Sequence, residues 1–200
     1  MAPTDSTKGP GHLEPAQRAV LIDVARRSIE HGLATGRPMQ VAPAEYDDEL
    51  RAIRASFVTL NAQGRLRGCI GRLEAARPLV VDVAENAFAA AFRDSRFPPL
   101  SADEWPEVDL HLSLLTAPEP MHFSDEADLI RQIRPGEDGL ILQDGPYRGT
   151  FLPSVWESLP DPVDFLLHLK RKAGLAANHW SDTVELSRYQ TESFGEDDLA

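Results

Sequence analysis

ASFVTLNAQGRLRGCIGRL, Ala55 to Leu73, reads as two extended segments around a tight turn, and that reading sets the fold class. Phe57, Val58 and Thr59 are the aromatic and β-branched residues that suit a strand, and Ala62, Gln63 and Gly64 supply the turn. RLRGCIGRL then returns as the second strand. Two strands joined by so short a connection pair antiparallel.

Upstream of this hairpin, PAQRAVLIDVARRSIEHGL places Val20, Leu21, Val24, Ile29 and Leu33 at helical spacings, with Pro15 suited to a first turn and an end expected between Gly32 and Gly36. EYDDELRAI adds a short helical turn. Downstream, Pro78 opens PLVVDVAENAFAAAFRDS, where Leu79, Val80, Val83, Ala84, Ala87, Phe88 and Ala91 form one apolar stripe. Asp82, Glu85 and Asn86 fall on its other face and are expected in solvent. Ser101 and Glu104 have the spacing of a capping box. VDLHLSLLT, Val108 to Thr116, alternates with Val108, Leu110, Leu112 and Leu114 inward and Asp109, His111 and Ser113 outward.

The remaining elements follow the same signals. A helix is expected over Asp125 to Arg134, a hairpin around the Asp144, Gly145 turn, an amphipathic helix in PVDFLLHLKRKAG closed by Gly174, and one last strand in TVELSRYQTESF. Four to six strands without regular βα alternation give an α+β class, a largely antiparallel sheet flanked by helices. Residues 1–12, small and rich in Pro and Gly, read as a disordered leader, residues 13–195 as the folded domain, with two subdomains allowed, and residues 196–200 as an acidic tail.

Composition narrows the function. The chain has 200 residues, 42% apolar and 26% charged, enough for one sizeable domain or two small ones with a real core. A net charge of -12 repels phosphate backbones and anionic membranes, which argues against nucleic acid as a partner. No apolar run approaches the roughly 18 to 20 residues of a membrane span. One Cys excludes an intramolecular disulfide and a multi-cysteine metal site, and fits a reducing cytoplasm. The charge is uneven. Arg51 to Arg77 holds six Arg and one Glu, whereas Ser101 to Gly145 holds eleven acidic residues and two Arg. An acidic stretch packed beside the hairpin would neutralise its arginines; elsewhere, they would face an anionic ligand.

Phosphate-loop, dinucleotide, GxSxG, HExxH and CxxC signatures are absent. Chemistry therefore concentrates in LRGCIG, Leu66 to Gly71. Gly68 and Gly71 clear space on either side of Cys69 for a backbone or a ligand, and strict alternation puts Arg65, Arg67 and Cys69 in one row about 7 Å apart. A cation at that range favours a reactive thiolate. The plainer reading is that Cys69 is a small buried hydrophobe. Asp109 and His111 share a strand face, as base and orienter or as two metal ligands, but an exposed polar face is the commoner state. His179 and Trp180, after a helix cap, are expected to pin a loop to the core. Arg93 and Arg96, three apart around Asp94, either grip a carboxylate or phosphate or belong to a capped surface turn.

Five motifs in order, LRGCIG (66 to 71), DSRFPPL (94 to 100), LSLLT (112 to 116), TFLP followed by Val155, and LSRYQTESF (186 to 194), resemble the AMMECR domain, known in prokaryotes as AmmeMemoRadiSam system protein A. The resemblance covers roughly Pro15 to Phe194. It implies a larger subdomain gathering both chain ends, a smaller one beside it, and a cleft between them holding LRGCIG. It also implies company, a Memo-type protein and a radical SAM enzyme, and no established reaction, cofactor or metal. The residues it singles out are Arg67, Gly68, Cys69, Ile70 and Gly71, with Asp94, Arg96 and Phe97 as cleft neighbours. Ser154 departs from the Gln or Glu frequent in the family. Two functions follow: a component that binds a small anionic ligand or partner at LRGCIG, or a thiol-dependent enzyme with Cys69 as nucleophile or redox group and Arg67 beside it.

Overall fold

The computed structural model describes residues 12–199. Of the leader, residues 1–11 lie outside the described residues, and His12 is exposed, with Nδ1 3.7 Å from Glu192 Oε1. The chain is α+β: five α-helices and eight strands among the described residues, in two four-stranded sheets. Two compact units divide it, the first from Met1–Leu115 with Glu192–Ala200, the second from Thr116–Thr191.

In the first unit, α1 (Pro15–Thr35) and the one-turn α2 (Asp48–Arg51) precede the hairpin of β1 (Ser56–Ala62) and β2 (Arg65–Gly71). Gln63 and Gly64 adopt the positive φ values that a tight turn requires, 52° and 72°. Next come α3 (Leu79–Phe92) and β3 (Val108–Leu115), which pairs antiparallel with β1. The sheet order is β2-β1-β3-β8, closed by a strand from the far end of the chain. Alternation in β3 is as the sequence predicts, with Val108, Leu110, Leu112 and Leu114 buried. These residues, with Val58 and Leu60 of β1, form one core with Leu21, Val24, Ala25 and Ile29 of α1 and the apolar stripe of α3.

The second unit contains β4 (Glu119–Pro120), α4 (Glu126–Gln132), β5 (Gly139–Asp144), β6 (Tyr147–Phe151), α5 (Pro162–Ala173) and β7 (Glu185–Tyr189), with sheet order β4-β7-β5-β6. Phe165 of α5 stacks on Trp156 with ring centroids 3.8 Å apart, inside a separate core. As expected, α5 carries Lys170, Arg171 and Lys172 in its last turn and closes on a left-handed Gly174.

The described residues form eight strands in two sheets rather than the expected four to six, and two further expectations about the elements fail. The last strand is two strands: β7 ends at Tyr189 and, after the single residue Gln190, β8 (Thr191–Gly195) begins in the other sheet. Between them Gln190 exchanges bonds with Thr116, its amide donating to Oγ1 and its carbonyl accepting from the Thr116 amide. Continuous β-character in the sequence says nothing of a change of partner. The second failure lies on α3, where Asp82 and Asn86 are buried, 1% and 4% exposed; only Glu85 is in solvent. One turn apart, they both reach Ser56 at the start of β1, so this face of the helix meets a strand end that a helical wheel does not contain.

Candidate functional site

β2 lies at the edge of its sheet, where outward backbone groups need other partners. Cys69 pairs with Thr59, and its own amide and carbonyl point away from β1. The run after α3 fills both. The Cys69 amide donates to Asp94 Oδ2 at 2.9 Å, and Arg96 Nη2 donates to the Cys69 carbonyl at 3.3 Å. Asp94 and Arg96 are themselves joined by two side-chain bonds, 2.9 and 2.7 Å, and the Arg96 amide caps Asp94 Oδ1 at 3.1 Å. Asp94 is 6% exposed, and the Arg96 guanidinium holds its carboxyl well below the usual carboxylate range. DSR is thus a clamp on the Cys69 peptide: of the two alternatives, the Asp94-capped turn is what forms, with only Arg96 of the two arginines on Asp94, while Arg93 lies over the Phe88 ring.

Arg67 leaves the row predicted for it. The β1–β2 register is Leu60 to Gly68, then Asn61 to Leu66, so Arg67 is the extra residue of a bulge. The slip puts Leu66, not Arg65, on the face of Cys69. Arg67 is 9% exposed and forms a two-pronged pair with Glu104, 3.0 and 3.1 Å. Glu104 also accepts from the Ser101 amide and hydroxyl, as the capping box predicts, and its carboxyl is pulled down to about 2, chiefly by Arg67. The acidic stretch therefore neutralises at least this arginine. Phe97 lies under both cations, its ring centroid 5.9 Å from Arg67 and 5.5 Å from Arg96.

The glycines serve close packing. A Cβ on Gly68 would overlap the Ala90 carbonyl oxygen of α3, and one on Gly71 would overlap the Phe57 ring and the Ser56 carbonyl. Cys69 is half-buried, and its sulfur accepts from the Thr59 hydroxyl at 3.2 Å. Thr59 also pairs with His111 on β3, giving a row Cys69, Thr59, His111. Sequence reasoning missed Thr59; the signal was the hairpin register. Ile70 is partly buried against the first core.

A second polar group, expected in solvent, is buried. Asp82 Oδ2 accepts from the Ser56 amide and hydroxyl and from Asn86 Nδ2, at 2.9, 2.7 and 2.9 Å, and Arg77 lies 3.4 Å from Asp82. Burial pushes the Asp82 carboxyl upward against these bonds. Elsewhere, Trp180 packs against the second core as expected, while its neighbour His179 donates from Nε2 to Asp144 Oδ2 at the β5–β6 turn over 2.6 Å, and Ser181 and Thr183 bond the same carboxylate. Among the described residues no three His, Cys, Asp or Glu stand together as a metal site.

The AMMECR1 family model matches residues 22–194. The chain belongs to the AMMECR1 family. A Methanothermobacter thermautotrophicus relative is 38% identical over 183 residues, covering 88% of this AMMECR1 chain and 93% of the relative. One from Thermococcus gammatolerans is 37% identical over 188 residues, covering 88% and 89%. A crystal structure of an uncharacterized protein, PH0010 from Pyrococcus horikoshii, superposes with TM-score 0.74 at 34% identity, covering 89% of this chain and 90% of that one. The α+β fold of this AMMECR1 chain accords with that neighbour. No helix among the described residues is long and apolar enough to cross a membrane.

Proposed function

We propose that this AMMECR1 chain is a non-catalytic binding component of a three-part cytoplasmic system, working with a Memo-type protein and a radical SAM enzyme. Its contact surface is the LRGCIG strand, Arg67 to Gly71, with Asp94, Arg96 and Phe97. One observation carries this reading: both arginines beside Cys69 already hold carboxylates, Arg67 on Glu104 and Arg96 on Asp94. A thiol that attacks a bound anion needs free donors to hold it; these forks are filled. What the arrangement offers instead is a rigid strand, clamped on its outer edge, with Phe97 beside it.

Co-purification with the two partners from native cells tests the reading. Phe97→Ala removes a contact side chain, and with it the ring under Arg96, but leaves the Asp94–Arg96 hydrogen bonds in place; it is expected to lower recovery of both partners, and undiminished recovery counts against this surface.

The Thr59 hydroxyl at the Cys69 sulfur favours a second reading, thiol chemistry at Cys69 with Arg67 as a more distant positioning charge. A hydrogen-bond donor beside sulfur is an element that a nucleophilic or redox thiol uses.

A further inference from the structure

Beyond the edge of β2, on the helix side of the sheet, lies a pocket of about 220 Å³ between residues 38–41, the end of LRGCIG and α3. It is separate from the Cys69 side chain. Cys69 pairs with Thr59 on the sheet face away from the helices, whereas Ile70 pairs with Val58 on the core side and lines the pocket. Every wall belongs to the first unit.

Three features give the pocket a chemical preference. Met39, Val41, Ile70 and Phe88 supply an apolar wall. Arg72 and Arg93, at the exposed rim, make no close ion pair among the described residues; Arg72 acts on Asp82 only at longer range, and Arg93 is held over the Phe88 ring at 4.9 Å. They differ in this from Arg67 and Arg96, and the one acidic residue in the lining, Glu85, is already paired with Arg77. The third feature is Asn86. Its Nδ2 is committed to the Ser56 carbonyl, the Ser56 hydroxyl and Asp82, which fixes the orientation of the amide. Oδ1 then takes no hydrogen bond from any described residue, on a side chain 4% exposed that lines the pocket. Oδ1 is not a fully buried orphan, so it offers an open acceptor, fixed in direction, to a ligand donor that enters the pocket.

We infer that this pocket binds a small amphipathic anion: a carboxylate or phosphate paired with Arg72 and Arg93, an apolar body against Met39, Ile70 and Phe88, and a hydroxyl or amine donating to Asn86 Oδ1. The volume sets the scale. It falls below the roughly 300 to 1,000 Å³ of drug-sized sites, so the ligand has the size of an amino or hydroxy acid rather than a nucleotide.

The test is a titration of the full chain at low salt, followed by amide NMR, with 3-phenyllactate, phenyl phosphate, neutral 3-phenyllactamide and the hydroxyl-lacking 3-phenylpropionate. At least one of the first two anions is expected to shift the amides of Ile70, Gly71 and Ala89 at about 1 mM, the weak end of specific affinity. A stronger response to phenyllactate assigns a carboxylate ligand, and to phenyl phosphate a phosphate ester. Loss of one charge-assisted contact corresponds to about tenfold, and the neutral amide and the Arg72→Gln/Arg93→Gln protein each lose two, so each is expected to bind at least about tenfold more weakly, and phenylpropionate severalfold more weakly than phenyllactate. Both arginines are exposed, so the double variant keeps the fold. No shift with either anion, equal binding of the amide, or full affinity in the double variant would overturn the inference. None of these outcomes bears on the Cys69 surface, whose partner contacts are read separately.

Discussion

Asp94 and Cys69 are joined by one hydrogen bond, 2.9 Å from the Cys69 amide to Asp94 Oδ2, across 25 residues of chain. Through it the turn after α3 fixes an edge strand at Cys69. The bond is charge-assisted, because Arg96 keeps Asp94 ionised.

Amide hydrogen exchange reads this clamp directly. Asp94→Ala removes the acceptor and is expected to speed exchange at Cys69 by about tenfold, the equivalent of one charge-assisted bond, while Val58 and Leu60 in the sheet centre stay protected. Unchanged exchange at Cys69 would mean that the edge is held by something else.

The Arg67–Glu104 pair gives the protein an acid-sensitive increment of stability. Glu104 has a folded-state value of about 2 against an ordinary 4.5, so its contribution is full above about 4.5 and is lost as pH falls toward about 2. Arg67→Met is expected to flatten that limb of the stability curve. Glu104→Gln should cost more at neutral pH, about 1–2 kcal/mol, because it strands a nearly buried guanidinium; the half-exposed position of Glu104 keeps this below the 3–5 kcal/mol of a fully buried pair. Chemical denaturation of the three proteins between pH 2 and about 7 checks both, and an unaltered acid limb in Arg67→Met refutes the assignment.

Much of this was legible in the residues, for identifiable reasons. Alternation over Val108–Leu115 and the turn at Gln63 and Gly64 mark the antiparallel sheet because burial and turn geometry are local. The Ser101–Glu104 box was legible too, but not that Glu104 spends its carboxylate on Arg67, since the bulge that turns Arg67 out of the Cys69 row depends on pairing with β1. Asp82 and Asn86 were misread for a similar reason: their acceptor and donor on Ser56 lie a strand away. The split at Gln190 was invisible because both halves of the segment favour strand.

Gly68 tests how far LRGCIG is a packing motif. Gly68→Ala places a methyl group into the Ala90 carbonyl, which is backbone and has little room to give, so β2 must move off α3. Overpacking of this kind costs about 1–3 kcal/mol. A denaturation midpoint equal to wild type would show that the glycine serves something other than the helix contact.

The central claim is that Cys69 sits in a contact surface and performs no thiol chemistry, and the Cys69→Ser protein tests it most directly. Serine keeps the size of the side chain and its contact with the Thr59 hydroxyl while removing the nucleophile. Complementation of the native function should be measured together with recovery of the Memo-type and radical SAM partners. The binding account predicts wild-type complementation and wild-type recovery; loss of complementation with the fold and both partners retained would contradict it and establish Cys69 as a reacting thiol.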